Sequence, residues 1–249
     1  MTGRDPRMWK NNLTVVLVEP RNPLNIGAAA RAMLNFGFSR LALVAPYDVA
    51  FREARSAPGA ASVLRNASVA AALPLAVAGC SLVVGTSAAR RRDLHHLRRP
   101  LPEAASLLAA HLRRRPAALL FGSEKFGLSN EHLSHCRWIL TIPTSAECPS
   151  MNLGQAVALC CYELARAAPA SAPPAAGPRP STVAQQERIV EKLLAAQQLS
   201  GYLNPRTSRS HQIKARRLIA RMALSFQDAQ VLEGIFRQIE WKLGRPGPP

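Results

Sequence analysis

The sequence contains few acidic residues, few lysines and few aromatic residues. Of its 249 residues, 15 are Asp or Glu and 32 are Lys or Arg, and only five of those 32 are Lys. The formal net charge of +17 at pH 7 is far from the balance of an ordinary soluble enzyme and indicates a polyanionic partner, first of all nucleic acid. Arg suits bidentate contacts with phosphate, although a GC-rich genome also favours Arg over Lys.

The cysteines are odd in number and lack the spacing of a disulfide framework. They are Cys80, Cys136, Cys148, Cys160 and Cys161. The first residues show no basic segment followed by a long apolar one, as a secretory signal would. We therefore expect a cytoplasmic protein with reduced thiols.

A strongly apolar stretch of membrane-spanning length is also lacking. Residues 67–89 carry no charge and are long enough to cross a bilayer, but they are rich in Ala and contain Pro74 and Gly79. This content predicts an Ala-rich helix, a turn at Gly79 and a short strand over residues 81–84 instead. We expect no membrane partner.

Short apolar, β-branched runs alternate with helical patterns, and apolar residues make up 48% of the chain. The runs lie at residues 14–18, 41–44, 82–84, 117–121 and 139–142. This alternation predicts an α/β fold with a mostly parallel sheet covered by helices on both faces. The first helix is predicted to begin at an Asn25 cap and to end at Gly37, and the last helix of this block to span residues 152–166 with Ser150 or Asn152 as its cap.

The pattern changes after residue 166, which predicts a second, smaller unit. Pro, Ala, Ser and Gly dominate residues 168–180 and leave no periodic apolar face. We expect residues 1–166 to form the main domain, 167–181 a Pro/Ala-rich linker, 182–243 a helical extension and 244–249 a disordered tail.

The helical extension is predicted from capping boxes and apolar periodicity. The capping pairs are Thr182 with Gln185 and Ser225 with Asp228. The residues predicted to face inward between them are Ile213, Ile219, Met222 and Phe226. Lys214, Arg217 and Arg221 share one outer helical face, which is either a solvated charged face or a surface that contacts RNA.

Polar segments follow three of the predicted strands, whereas G-x-G-x-x-G and Walker motifs are absent. A conventional dinucleotide or nucleotide site is therefore not expected. The polar segments are residues 22–31 (NPLNIGAAAR), 122–128 (GSEKFGL) and 143–153 (PTSAECPSMNL). The carboxyl ends of parallel strands are where open α/β sheets bind ligands, so we expect these segments to converge.

Three motifs in this order resemble those of the SpoU branch of the SPOUT RNA 2′-O-ribose methyltransferases. They are the N-x-G-x-x-x-R run ending at Arg31, the FG-x-E-x-x-GL run over residues 121–128 and the IP…SMNL run over residues 142–153. Residues 79–88 are also similar to the TrmJ group, tRNA methyltransferases that modify nucleotide 32, the first of the anticodon loop. The resemblance covers residues 13–165 well and continues weakly into the helical extension.

The resemblance implies a sheet with a C-terminal deep trefoil knot, a homodimer, and S-adenosyl-L-methionine bound in the loops of the knot. The residues implied to touch this cofactor are Thr86, Ser87, Ala88, Gly122, Ile142, Pro149, Ser150 and Met151. The catalytic positions implied are Arg31, Glu124, Ser150 and Asn152. The residues expected to contact RNA are Asn25, Arg31, Arg90, Arg91, Arg92, Lys214, Arg217 and Arg221, of which the last six are chosen for their basic clusters rather than for the resemblance.

The chemistry assigns a role to each of the four catalytic positions. Methyl transfer from a sulfonium to a ribose hydroxyl needs positioning and removal of a proton, and it needs no metal. Arg31 is expected to clamp the target phosphate, because a guanidinium stays protonated and is a poor base. Ser150 and Asn152 are expected to orient the ribose, and Glu124 to brace the cofactor loops.

The sequence also departs from the family pattern. Pro149 stands where a small polar residue is commoner and removes one N–H, while Met151 replaces the usual Leu and Gly154 lies within a helical turn. His132, His135 and Cys136 lack a spaced fourth ligand, so we expect no metal.

The leading interpretation is a tRNA 2′-O-methyltransferase. The same reaction on rRNA is the alternative within the class, and an RNA-binding protein that kept the fold without catalysis is the alternative from another class. Two basic clusters, residues 90–92 with 98 and 99 and residues 113–115, favour phosphate contact in each case.

Overall fold

Seven parallel strands form one sheet in the computed structural model, which describes residues 8–47, 59–88, 96–167, 177–203 and 207–244. The strand order is β3-β2-β1-β6-β4-β7-β5. The strands are β1 (Leu13–Val18), β2 (Arg40–Val44), β3 (Ser68–Ala70), β4 (Leu82–Thr86), β5 (Arg98–Pro100), β6 (Ala117–Phe121) and β7 (Trp138–Thr141). This confirms the predicted α/β fold with a parallel sheet.

Nine α-helices and a short 3₁₀ helix, Met8–Asn12, accompany the sheet in the described part of the chain. They are α1 (Pro23–Asn35), α2 (Ala61–Arg65), α3 (Leu73–Val77), α4 (Leu101–Leu112), α5 (Asn130–Ser134), α6 (Leu153–Arg166), α7 (Val183–Leu199), α8 (Ser208–Met222) and α9 (Phe226–Leu243). Within the ranges described, none of these helices combines the length and apolar content that a bilayer crossing requires.

The cap of the first helix lies three residues earlier than predicted. The side chain of Asn22 accepts a hydrogen bond from the Leu24 N–H at 2.9 Å, and Pro23 occupies the first helical position, where its missing N–H costs nothing. The prediction of Asn25 as the cap was wrong, because the Asn25 side chain is used elsewhere, as shown below. The predicted end is confirmed, since Gly37 follows the helix with a φ of +76°.

Two hydrophobic cores lie on the two faces of the sheet. Alternate residues of β1 divide between them: Val15 joins the core under α1, α4 and α6, and Val16 joins the core that includes residues of α3 and of the α5 region. Cys160 and Cys161 are fully buried in the first core, as small apolar residues are. Val183, the first residue of α7, belongs to the second core, so the helical extension begins inside the main domain's packing.

Two strands were not predicted from the sequence. β3 and β5 have three residues each and form the two edges of the sheet, and β5 is the tripeptide Arg-Arg-Pro. The uncharged segment at residues 67–89 holds β3, α3 and β4, which confirms the predicted helix, turn and strand within it.

Backbone hydrogen bonds join the helical extension to the main domain. The N–H of Val183 donates to the Cys80 carbonyl at 2.9 Å, and the N–H of Ala184 donates to the Ala78 carbonyl at 3.1 Å. Both predicted capping boxes are present at the starts of α7 and α9. Ser181, placed in the linker by the sequence, is buried and donates its N–H to Leu224.

A buried ion pair fixes the same junction. The Arg216 guanidinium on α8 contacts the Glu187 carboxylate on α7 through Nε at 2.8 Å and Nη2 at 2.9 Å, and His135 Nδ1 lies 3.2 Å from the same carboxylate. Burial raises the pKa of Glu187, but the neighbouring His135 and the hydrogen bonds from Arg216 outweigh this and lower the pKa below its ordinary value. Ile219 packs inward as predicted, whereas Met222 was wrongly assigned, because its side chain is exposed at the end of α8.

Helices α1 and α6 approach each other unusually closely. A Cβ atom built on Gly154 would lie 2.7 Å from the Cβ of Ala28, which is closer than real carbon atoms pack. The glycine within the first turn of α6, a departure from the family pattern, therefore lets the two helices meet.

We predict that Gly154→Ala destabilises the protein by roughly 1–3 kcal/mol, because the added methyl group overpacks the contact between α1 and α6. The matched control is Gly234→Ala in α9, where a Cβ would meet nothing within 4 Å. That change should stabilise the protein by about 0.5–1 kcal/mol through helix propensity alone. Urea denaturation of both variants would contradict the interpretation if they shifted the midpoint in the same direction.

Candidate functional site

A cavity of about 270 Å³ opens at the carboxyl ends of β4, β6 and β7. Its walls include apolar side chains of Phe121, Leu128 and Leu140 together with polar loop residues. Every residue that the family resemblance assigns to the cofactor lines this cavity: Thr86, Ser87, Ala88, Gly122, Ile142, Pro149, Ser150 and Met151. The ends of three strands thus converge on one partly enclosed space, as parallel strands predict.

The segment after β6 folds back tightly against itself. The Gly127 N–H donates to the Ser123 carbonyl at 2.8 Å, and Gly127 adopts a φ of +65°. A Cβ on Gly122 would lie 2.0 Å from the Gly127 backbone, so a side chain at position 122 is excluded. This turn lets backbone rather than side chain form one wall of the cavity.

Residues 142–152 form the opposite wall. The Thr144 hydroxyl donates to the Pro149 carbonyl at 3.2 Å, and the Cys148 thiol donates weakly to the Ser150 carbonyl at 3.7 Å. Pro149 thus offers its carbonyl to the loop and has no N–H for a ligand. Ser150 is exposed beside the cavity.

A single carboxylate ties the segment after β6 to the segment after β1. Glu124 accepts hydrogen bonds from the backbone N–H groups of Arg21 and Asn22, each at 3.2 Å, and from Asn25 Nδ2 at 3.0 Å. Three donors from one stretch of chain therefore converge on this side chain. Glu124 lines the cavity and at the same time holds the start of α1.

The network continues from Asn25 to the third polar segment. Asn152 Nδ2 donates to Asn25 Oδ1 at 2.8 Å, and Asn152 Oδ1 caps α6 by accepting from the N–H groups of Gly154 at 2.9 Å and Gln155 at 3.4 Å. Each amide uses both its nitrogen and its oxygen within the protein. The cap of α6 is Asn152, which confirms one of the two residues proposed from the sequence.

Opposing effects set the pKa of Glu124. Partial burial raises the pKa, but hydrogen bonds from Asn25, from its own backbone and from Arg21 and Asn22 together lower it below the ordinary value. Glu124 is therefore ionised at neutral pH. A carboxylate in this state, whose oxygens already accept hydrogen bonds from N–H groups, is a weak base. Its role is to hold the two segments together.

Arg31 lies apart from these groups. It projects from the exposed face of α1, does not line the cavity of its own chain, and forms neither an ion pair nor a side-chain hydrogen bond with the described residues. Its guanidinium runs beside Gly59, where a Cβ would lie 3.0 Å from Nη1. The sequence did not predict Gly59 as a neighbour of Arg31. The feature that marks Gly59 is its φ of +77°, which is visible only in the structure.

The basic residues predicted to contact RNA lie in separate places. Lys214 and Arg221 are exposed on α8, and Arg217 between them is half-buried. Residues 90–92, which are Arg90, Arg91 and Arg92, lie outside the described residues.

The His and Cys residues weighed as metal ligands have other roles. The His132 side chain completes the capping box of α5 with Ser129, and His135 contacts Glu187. Cys136 is fully buried, and burial raises the pKa of its thiol. The described ranges contain no cluster of three or more His, Cys, Asp or Glu side chains placed to hold a metal ion.

Comparison with protein families shows that residues 12–162 match the SpoU rRNA Methylase family. The tRNA (cytidine/uridine/adenosine-2′-O-)-methyltransferase TrmJ of Pseudomonas aeruginosa is 35% identical, in an alignment that covers 92% of this chain and 94% of that protein. The tRNA (cytidine/uridine-2′-O-)-methyltransferase TrmJ of Pectobacterium atrosepticum is 34% identical over 92% of this chain and 97% of its own length. Both similarities continue past residue 162 into the helical extension.

Solved structures of methylases are also similar to this chain. The crystal structure of TrmJ from Z. mobilis superposes with a TM-score of 0.79 at 30% identity and covers 91% of this chain and 98% of its own. A probable methylase family protein from Haemophilus influenzae gives a TM-score of 0.59 at 31% identity, covering 94% and 98% of the two chains.

We predict that Glu124→Gln lowers the free energy of unfolding at neutral pH, because an amide nitrogen would face the N–H donors that the carboxylate now accepts. Since the pKa of Glu124 is lowered by folding, its stabilising contribution is present above the ordinary Glu pKa and is lost as the pH falls through the lower pKa of the folded state. The difference between wild type and variant should therefore stay constant from about pH 7 to about pH 5 and shrink as the pH falls further, from about pH 5 to about pH 3. A difference in unfolding free energy that stays constant over this lower range would contradict the bracing role.

Proposed function

This chain belongs to the SpoU rRNA Methylase family, and on that basis we propose that it transfers a methyl group from S-adenosyl-L-methionine to a ribose 2′-hydroxyl of tRNA. The observation that carries the proposal is the cavity at the carboxyl strand ends, which is lined by all eight residues that the resemblance assigns to the cofactor. Relatives that match 92% of the chain act on tRNA by their names, which favours tRNA over rRNA. Such an enzyme works in the cytoplasm.

The cavity suits a nucleoside that carries a charged amino-acid tail. Phe121, Leu140 and Ile142 offer apolar surface for a base, while backbone groups of the loops and the exposed Ser150 hydroxyl offer hydrogen bonds. Bound there, S-adenosyl-L-methionine supplies a methyl group on a positively charged sulfur, which is already activated for displacement. The protein's own residues then have to place the ribose and help its hydroxyl lose a proton.

Arg31 is the catalytic residue in this proposal. Its guanidinium is exposed and has no partner among the described residues, so it is available to a phosphate of the RNA. Holding that phosphate fixes the neighbouring ribose for in-line attack. A guanidinium remains protonated, so Arg31 assists deprotonation through its charge and not as a base.

The remaining polar residues divide into two groups. Ser150 has an exposed hydroxyl at the cavity and can contact the ribose directly. Glu124, Asn25 and Asn152 hydrogen bond to one another or to backbone, and this supports a positioning role for them. We also propose that Asn25 contacts RNA and that Asn152 contacts the ribose. Each would donate the second N–H of its side-chain amide, because the first is used within the protein.

We further propose that the target is nucleotide 32 and that the chain forms a deep trefoil knot near α6. The similarity of residues 79–88 to the TrmJ group supports the first. The match to the SpoU rRNA Methylase family, whose resemblance implies the knot, supports the second. Mapping the methylated nucleotide in tRNA, with rRNA as the competing substrate, tests the assignment of the target.

A homodimer would bring Arg31 to a cavity. Because Arg31 does not line the cavity of its own chain, we propose that it acts at the cavity of a second copy. Exposed apolar side chains on the outer faces of α1 and α6 support such an interface: Leu24, Leu34, Leu159 and Tyr162.

We predict that Arg31→Ala and Arg31→Lys each lower kcat for tRNA methylation at least about 100-fold, because neither side chain can hold a phosphate through two parallel hydrogen bonds. Calorimetry should give wild-type affinity for S-adenosyl-L-methionine in both variants. Retention of most of the activity by Arg31→Ala would show that the assignment is wrong.

Complementation tests the shared site. Coexpressed Arg31→Ala and Gly122→Val chains are each expected to be inactive alone, the second because a valine side chain would collide with the Gly127 backbone and close the cavity. In a mixed dimer, the intact cavity of one chain meets the intact Arg31 of the other. Random pairing should restore about a quarter of wild-type activity. An inactive mixture, with dimers confirmed by sedimentation, would place Arg31 and the cofactor in the same chain.

A further inference from the structure

The cavity at the carboxyl ends of β4, β6 and β7, to which the proposed function assigns S-adenosyl-L-methionine, is called the cofactor cavity. A second cavity, of about 560 Å³, lies at the opposite end of the sheet. It opens at the amino ends of β4 and β7, where Leu82 and Trp138 begin their strands. Helix α8 of the helical extension closes one side of it through Arg221. The cavity therefore exists only where the main domain and the helical extension meet.

Three arginines from different elements line this cavity. Arg99 comes from the edge strand β5, Arg137 precedes β7, and Arg221 lies in the last turn of α8. Arg99 pairs with Glu103 through Nη1, but its Nε is buried without a partner in the part of the chain that is described. The side chains of Arg137 and Arg221 form no ion pair or hydrogen bond within that same part.

The electrostatic environment is strongly positive. Burial lowers the pKa of Arg137, and burial together with the charges of Arg217, Arg221 and Arg98 lowers the pKa of the neighbouring His96. A partly desolvated cation without a carboxylate partner is costly, and a bound anion would offset that cost.

Apart from the arginines and His111, the lining of the cavity is apolar, and the cavity is partly open. Leu97 is 57% exposed and Leu107 is 44% exposed, so a large part of each side chain is free to contact a ligand. The ring of Trp138 completes this wall. Apolar and aromatic surface beside arginines is the combination that single-stranded nucleic acid uses, with bases on the apolar wall and phosphates on the cations.

We propose that this cavity binds one unpaired nucleotide of the RNA substrate, with its phosphate held by Arg99, Arg137 and Arg221 and its base against Leu97 and Leu107, beside the largely buried Trp138. Four residue steps along β7 separate Trp138 from Ile142 at the cofactor cavity, about 13 Å. A folded RNA is far larger than this separation, so it can reach both ends of the strand at once. The helical extension then contributes directly to RNA binding, through α8.

This inference rests on the proposed function, because it assigns the cavity to the RNA of that reaction. The test uses the full chain with the double substitution Arg137→Gln and Arg221→Gln. Affinity for tRNA should fall about tenfold or more, and the slope of log affinity against log salt should decrease by about one unit for each phosphate that is no longer bound. The KM for tRNA should rise while kcat at saturating tRNA and the affinity for S-adenosyl-L-methionine stay unchanged.

A matched control removes the same kind of charge from the far edge of the sheet. Arg65 is exposed at the end of α2, three residues before the edge strand β3, which lies six strand spacings from β5, or about 29 Å. Arg65→Gln should leave affinity and salt slope close to wild type. The single variant Arg221→Gln, altered only at an exposed position, replaces the double variant if the latter fails to fold, and about half of the decrease in slope is expected.

Fluorescence identifies the source of the phosphate. Added tRNA should quench wild-type fluorescence more than it quenches that of Trp138→Phe, and inorganic phosphate should compete only weakly. Quenching by inorganic phosphate that tRNA does not displace would indicate a site for a free anion and overturn the proposal. The proposal would also be overturned if the double variant had the same tRNA affinity and salt slope as Arg65→Gln. Wild-type protein that binds tRNA at this cavity without methylating it would refute the proposed function and leave this inference standing.

Discussion

The candidate site depends on the hydrogen bonds that Glu124 accepts. Loops that follow separate strands have no reason to keep a fixed distance, because each is anchored only at its own strand. Glu124 and the pair Asn25 and Asn152 join three such loops into one chain of hydrogen bonds. Two of these residues also fix a helix start, since Asn152 caps α6 and Glu124 holds the loop from which α1 begins. The wall of the cavity is therefore tied by hydrogen bonds to the starts of the two helices behind it.

A second carboxylate, that of Glu187, joins the main domain to the helical extension, much as Glu124 joins the loops. Glu187 receives Arg216 from within the helical extension and His135 from the main domain, in surroundings that are largely buried. A buried ion pair contributes little net stability, but removal of one partner leaves a charge without compensation. The extension is thus held in one orientation relative to the sheet, and the basic face of α8 is held with it.

The main elements could be predicted from the sequence, and the family motifs placed eight residues that line the cavity at the carboxyl strand ends, because these signals are local. β-Branched runs mark five strands, capping boxes mark α7 and α9, and the family motifs lie at strand ends. The edge strands were missed because three residues of any composition can pair with a neighbour. Asn25 was misassigned because a helix cap and a partner for a distant carboxylate require the same side chain. The contacts of Gly154 with Ala28 and of His135 with Glu187 join distant parts of the chain, which leaves no spacing in a single sequence.

The distribution of the thiols has a practical consequence. Burial raises the pKa of Cys80 to about 11 and that of Cys161 to about 12, and Cys136 and Cys160 are fully buried as well, so these four thiols stay protonated and shielded. Cys148 is exposed in the loop of residues 142–152 that forms one wall of the cofactor cavity. A thiol-specific dye or spin label would therefore attach at this one position in the unmodified protein. Such a label would show whether this loop changes when ligands bind, without any engineered cysteine.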